Sequence, residues 1–212
     1  MYYVTRNYSQ SEKEKIKSNP DFDTLPDLFK WMQYELMIVS PPRCGTATVL
    51  HGIQEHIKKT RGDKSTIKRY GYGKPLSWYK ENKPKLYETL YTQLTCNKLL
   101  IVRNPYKRVV SSLYALGMDS YAKNRKEFLA SPYGVPQNEF IYFHDNKRMD
   151  AANYRLEDIV DTIMSVAKYD WDMFEMRNVT PNKEKVKLTD KEYNMISEDF
   201  AEDFDLLGYN TV

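Results

Sequence analysis

The sequence predicts an α/β fold, a parallel sheet flanked by helices, on three observations. Two short apolar runs, Met37-Ile38-Val39 and Leu99-Leu100-Ile101-Val102, have the unbroken aliphatic character of strands buried on both faces. Each run leads into an arginine, Arg43 or Arg103, and then into apolar residues at helical spacing. Further strand-like and helix-like stretches alternate along the chain, the pattern of a parallel sheet with crossover helices. At 212 residues the chain suits one domain, 1–212.

Taken in order, residues 1–34 are polar, contain Asn19-Pro20 and Leu25-Pro26, and read as a loop-rich lead-in in which Trp31 and Met32 cover a sheet edge. A strand and helix occupy about 36–60, the helix carrying Val49, Leu50, Ile53 and Ile57 on its apolar side. Residues 65–70 suit a second strand, and Gly71, Gly73 and Pro75 break the chain into a loop. A helical pattern from Trp78 to Leu94 is interrupted at Pro84. A strand at 98–103 and a helix from about 105 to 117 follow. Residues 118–150 read as a long irregular stretch around Pro132, Gly134 and Pro136, expected to shape an acceptor groove. A short strand near Asn153 leads into a helix from Leu156 to Val166, 178–185 is a polar loop, and a final helix runs from Asp190 to Leu207. In that last helix Tyr193, Phe200, Phe204 and Leu207 fall at core spacing.

The first turn, Pro42-Arg43-Cys44-Gly45-Thr46-Ala47-Thr48, has the parts of an anion site. Gly45 allows a backbone angle that other residues avoid. A helix start offers unpaired N–H groups and the positive end of its dipole. Arg43 adds a planar fork of donors, and Thr46 and Thr48 add hydroxyls. The plainer alternative is an ordinary strand-to-helix turn with a solvated arginine. A Walker loop needs G-x-x-x-x-G-K-[ST], which is not present, so ATP or GTP hydrolysis is disfavoured. In the second turn Arg103 stands at the carboxyl end of a strand, where ligands bind in open α/β sheets. Pro105 suits the first turn of a helix, and Ser111 lies two turns further on, able to grip a phosphate from the other side. Here the plainer alternative is a core helix with Lys107 and Arg108 on its surface.

Together the two turns resemble the sulfotransferase family. Residues 42–48 are similar to its 5′-phosphosulfate loop, P-[KR]-x-G-[TC]-[ST]-x, and residues 103–111 to its 3′-phosphate motif, R-D-P-x-x-R-x-x-S, with Asn104 in place of the aspartate. Pro136-Gln137-x-x-Phe140, the segment 154–159 and the tail 199–209 resemble motifs of the carbohydrate-sulfotransferase-like branch. The resemblance implies a P-loop-like, sulfotransferase-type fold. It also implies an enzyme using 3′-phosphoadenosine 5′-phosphosulfate (PAPS) as donor and an acceptor hydroxyl on a carbohydrate-like molecule. Its cofactor-binding residues would be Pro42, Arg43, Cys44, Gly45, Thr46, Ala47, Thr48, Arg103 and Ser111. Arg43 would be catalytic, holding the 5′-phosphate and the bridging oxygen as it leaves, and Arg103 with Ser111 would hold the 3′-phosphate. No metal is expected. Family members often place a general base just after the second strand, and residues 69–74 hold neither Glu nor His. His51, His144, Glu81 and Glu88 remain as candidates: His51 and His144 have a plainer packing or surface role, and Glu81 or Glu88 would serve if the third helix faces the cleft. Arg155 and Glu157 are expected to pair structurally. The competing readings are a non-catalytic nucleotide-binding module and a P-loop-like kinase.

Composition bounds the partners. Net charge is only +3, with lysines spread among acidic residues, so nucleic acid is not expected as a partner. The basic residues from Lys58 to Arg69 read as a solvated helix end, as Lys183 and Lys185 read as a solvated loop. Eighteen tyrosines suggest many half-buried rings. Cys44 and Cys96 form no disulfide framework. No apolar stretch approaches a signal peptide or a membrane span, so a soluble, cytoplasmic protein is expected.

Overall fold

The computed structural model describes residues 2–4, 9–18, 36–61, 68–70, 74–92, 97–140, 152–158 and 186–212. Over these it is an α/β structure. The strands are β1 (Tyr2–Val4), β2 (Leu36–Val39), β3 (Lys68–Tyr70), β4 (Asn97–Val102) and β5 (Ala152–Arg155). The helices are α1 (Gln10–Lys17), α2 (Thr46–Arg61), α3 (Leu76–Asn82), α4 (Pro84–Thr92), α5 (Pro105–Leu116), α6 (Tyr121–Ala130), α7 (Asp190–Asp199) and α8 (Ala201–Leu207). A 3-10 turn spans Asn138–Phe140.

The five strands form one sheet in the order β3-β1-β2-β4-β5. Strand β4 pairs in parallel with β2 and with β5, so the centre and one edge are parallel as expected. The other edge corrects the all-parallel expectation. The lead-in supplies β1, which runs antiparallel to both β2 and β3, and the eight-residue helix α1. It is not simply loop. Trp31 and Met32 lie outside the described residues.

Alternation along the strands sets the two faces. Met37, Val39, Leu100 and Val102 pack with Leu76 and Tyr79 of α3, and with Phe140 and Leu207. Ile38, Leu99 and Ile101 are also buried and alternate to the opposite face. Both faces of β2 and β4 are therefore covered, which explains their unbroken apolar sequences. A second cluster joins Val109 and Leu113 of α5, Tyr121 and Phe128 of α6, Ile196 of α7, and Phe200 with Phe204. Of the final-helix series, Phe200, Phe204 and Leu207 are buried and Tyr193 packs half-buried against them.

Two local departures have physical causes. Residues 118–150 are not uniformly irregular, because α6 stands within them. Its start is capped by Ser120, whose hydroxyl accepts from the Lys123 amide at 3.4 Å, and by Glu192, which accepts from the Ala122 amide at 3.0 Å. The final helix is divided at Phe200 (φ −122°, ψ 28°). The break at Pro84 between α3 and α4 agrees with the sequence.

Glu192 joins two helix starts. One oxygen accepts from the Ala122 amide and the Ser120 hydroxyl at the head of α6. The other accepts from the amide and hydroxyl of Thr189, the reciprocal capping box of α7. Burial opposes its charge, but these four donors outweigh burial and hold its pKa down to about 2, below the ordinary 4.5. Its contribution to stability is therefore complete above the unfolded value and is lost as pH falls from about 4.5 through about 2. Glu192→Ala is expected to lower unfolding free energy near neutral pH by about 2 kcal/mol, one cap at each helix. Urea titrations across this range should show the difference from wild type shrinking as acid is added.

Candidate functional site

Both arginine-bearing turns leave the carboxyl ends of adjacent parallel strands, β2 and β4, and lie side by side. Arg43 Nε donates to Ser111 Oγ at 3.1 Å. Arg103 Nη1 donates to the Arg43 carbonyl at 3.1 Å. Residues read from sequence as holders of two separate phosphates thus form one connected group. Arg103 is pushed below its ordinary pKa by burial, with the Arg43 charge adding to the effect. A guanidinium remains protonated under any ordinary condition, so two positive charges are held together at this end of the sheet.

The first turn is built on two left-handed residues, Arg43 (φ 68°) and Gly45 (φ 72°). For Arg43 that conformation is strained, and strain of this kind gathers at functional sites. Gly45 has a further constraint: a Cβ there would lie 2.3 Å from Leu156 Cδ1 and 3.0 Å from Leu156 Cγ. Helix α2 then starts, with the Thr48 and Val49 amides donating to the Gly45 carbonyl at 3.0 and 3.2 Å. The amides of Gly45, Thr46 and Ala47 donate to no acceptor among the described residues. They form the open N–H end of a 16-residue helix beside Arg43.

Not every side chain of the turn faces a ligand. The Cys44 thiol is fully buried and donates to Gln137 Oε1 at 3.1 Å. Burial pushes its pKa up to about 12, so it stays a neutral thiol. Thr46 is likewise buried, its hydroxyl bonded to that of Ser40; the expectation of an outward hydroxyl is corrected for this residue. Pro42 is buried, Ala47 exposed and Thr48 half-buried. Cys44 and Thr46 can therefore meet an anion only through their backbones.

Arg108 corrects the reading of a surface residue. It is 1% exposed, whereas its neighbour Lys107 is on the surface. Its Nε donates to the Pro42 carbonyl at 3.2 Å, and Nη2 donates to the carbonyls of Tyr133 and Val135 at 2.9 and 2.6 Å. A buried cation with three carbonyl partners ties α5 to the first turn and to the segment after α6. Asn104, which stands where an aspartate was expected, caps α5 by accepting from the Lys107 amide at 3.2 Å.

Gln137 was noted in sequence only as part of a motif. It is fully buried, and its side-chain amide satisfies the backbone of Arg103 twice. Oε1 accepts from the Arg103 amide at 2.9 Å and Nε2 donates to the Arg103 carbonyl at 2.8 Å. Asp203, also fully buried, accepts from the amides of Gln137 and Asn138 at 2.9 and 2.8 Å. In the sequence Gln137 stood out only within the P-Q-x-x-F pattern, and Asp203 only within the tail segment 199–209; neither was assigned a role there.

Arg155 and Glu157 do not pair with each other; each fastens the C-terminal segment. Arg155 donates to the carbonyls of Leu207 and Gly208 and stacks 4.7 Å over the Tyr209 ring. Glu157 accepts from the Tyr209 hydroxyl at 3.2 Å and from the Asn104 amide at 3.4 Å. Of the base candidates, His51 is half-buried on α2, and Glu81 and Glu88 are exposed on α3 and α4. None of these three hydrogen-bonds to Arg43, Arg103 or Ser111. His144, Lys183 and Lys185 lie outside the described residues. Among the described residues no group of His, Cys, Asp and Glu has the arrangement of a metal site, and no helix is long and apolar enough to cross a membrane.

Gly45→Ala is expected to cost about 1–2 kcal/mol from the left-handed backbone alone, and more from the contact with Leu156. Adding Leu156→Ala should relieve the contact but leave the backbone cost, so urea midpoints of the single and double variants separate the two effects.

Comparison with protein-family models, with curated proteins and with solved structures gives no match to this chain.

Proposed function

We propose that this chain is a sulfotransferase, moving a sulfuryl group from PAPS to a hydroxyl of a carbohydrate-like acceptor. The observation that carries the reading is the junction of the two turns. Arg43 bonds to Ser111 at 3.1 Å, and Arg103 bonds to the carbonyl of Arg43, also at 3.1 Å. The 3′ and 5′ oxygens of a nucleotide belong to one ribose, so a site for both phosphates needs its two cationic arms close together. In this reading β2, β4 and β5 are the P-loop-like part of a sulfotransferase-type fold.

The chemistry follows from charge. The acceptor oxygen attacks sulfur in line with the oxygen that bridges sulfur to the 5′-phosphate. The new S–O bond forms, the bridging S–O bond breaks, and adenosine 3′,5′-bisphosphate leaves with the negative charge. In this reading Arg43 and the amides of Gly45, Thr46 and Ala47 receive that charge, and preorganised donors of this kind supply most of the rate in such transfers. Arg103 and Ser111 hold the 3′-phosphate, which distinguishes this donor from ADP and ATP. The transfer requires a base within hydrogen-bond reach of the acceptor oxygen to take its proton, a role that this reading assigns to no residue.

Calorimetric titration with adenosine 3′,5′-bisphosphate, beside ADP and ATP, tests the donor assignment. Binding of the bisphosphate in preference to ADP, weakened at least about tenfold by Arg103→Ala, is the expected result. Transfer from PAPS to a glycan panel, lost in Arg43→Ala, is the expected activity. Bisphosphate binding without transfer to any acceptor supports a nucleotide-binding module instead, and preference for ATP supports a kinase.

A further inference from the structure

We propose that Gln137, held by Asp203, is the positioning residue that sets Arg103 against the Arg43 turn. The inference deepens the proposed function and rests on it where ligand is concerned. Three sequence-distant residues, Cys44, Arg103 and Asp203, meet at this glutamine. Its Oε1 accepts from the Arg103 amide at 2.9 Å and from the Cys44 thiol at 3.1 Å. Its Nε2 donates to the Arg103 carbonyl at 2.8 Å and to Asp203 Oδ2 at 3.4 Å. Its own backbone amide donates to the same carboxylate oxygen at 2.9 Å.

Each bond has a consequence for the site. Pairing both backbone groups of Arg103 restrains its backbone, and with it the direction in which its Cα–Cβ bond leaves the chain towards the Arg43 carbonyl that its guanidinium meets. Accepting the Cys44 thiol fixes the residue next to Arg43 at the same point. Gln137 and Asp203 are both 0% exposed, so neither touches a ligand in the site, and both act through Arg103. Asp203 Oδ1 also accepts from the Asn138 amide at 2.8 Å. The carboxylate therefore grips two successive amides and holds the start of the 3-10 turn as well as the glutamine. Arg108 holds the Pro42 carbonyl by a bond of its own that does not involve Gln137, and its other two bonds anchor it to the carbonyls of Tyr133 and Val135. Losing the glutamine thus misdirects Arg103 without releasing the whole turn.

The test uses the full chain with Gln137→Met, close in shape but unable to make these bonds, and Asp203→Asn. Three readouts separate positioning from simple stability. In a Cys96→Ser background, a thiol reagent should modify Cys44 at least about tenfold faster in Gln137→Met than in the parent, because burial and the bond to Gln137 both protect it. Affinity for adenosine 3′,5′-bisphosphate should fall about tenfold in Gln137→Met and not fall further in the double variant with Arg103→Ala, since coupled residues are non-additive. In the wild-type chain the Arg103 amide should exchange with solvent as slowly as those of β4. An additive loss in the double variant overturns the proposal. So does fast exchange of the Arg103 amide, or a folded Gln137→Met chain whose Cys44 reactivity stays within about twofold of the parent. Should Gln137→Met fail to fold, Asp203→Asn and the wild-type exchange measurement decide. Should the wild-type chain not bind the bisphosphate, the functional reading fails, and thiol reactivity with amide exchange still judge the positioning role.

Discussion

The candidate site depends on what happens one residue beyond the last rung of β4. Val102 is the final residue paired with β5. At Arg103 the ladder ends, and a half-buried backbone N–H and C=O would be left without protein partners, where full burial would cost about 1–3 kcal/mol each. A glutamine side chain carries a carbonyl acceptor and an NH2 group with two donors, enough to pair with both backbone groups of one residue and keep a donor for another partner. Gln137 uses them to continue the ladder by one residue without continuing the sheet. The strand thus ends with an arginine whose backbone is as constrained as a strand's but whose side chain is free of the sheet's alternation.

That solution moves the polar burden inward. Asp203 keeps Gln137 in place and is itself inside the protein, where burial raises its pKa even as the amides of Gln137 and Asn138 pull it down. Arg108 lies in the same interior and favours the charge on Asp203. Around them are apolar groups: Phe200 sits 5.9 Å from the Arg108 guanidinium, and Phe140 and Phe204 are buried nearby in sequence to Gln137 and Asp203. Buried polar networks of this kind are sensitive to partial loss, because each bond removed leaves a partner that water does not reach. The site's outer donors are few; the inner ones that orient them are more numerous.

Much of this arrangement was legible in the sequence. The two aliphatic runs marked β2 and β4, and the helix after each was marked by spacing and by Gly45 or Pro105. Their contact across Arg43 and Ser111 was not legible, since it joins residues 68 positions apart. Helix α6 was obscured because only Tyr121 and Phe128 among its ten residues are buried, too few for a visible stripe, while part of its cap comes from Glu192. The division between α7 and α8 has no glycine or proline to announce it. Arg108 was misjudged because charged residues are mostly exposed; its three carbonyl partners come from two other segments that no local window contains. Strand β1 is three residues long and joins the sheet through strands more than thirty positions away.

The placing of β1 divides the sheet mechanically. Strand β3 is tied to it through β1, by three residue pairs, and β1 to β2 by three more. The parallel unit β2-β4-β5, by contrast, has four pairs on each side of its central strand. Partial openings follow the weakest cooperative unit, so the antiparallel margin can come away while the parallel ladders remain closed. Both arginine turns emerge from the parallel unit. The end of the sheet that carries Arg43 and Arg103 is thereby insulated from disturbances at β1, such as transient fraying.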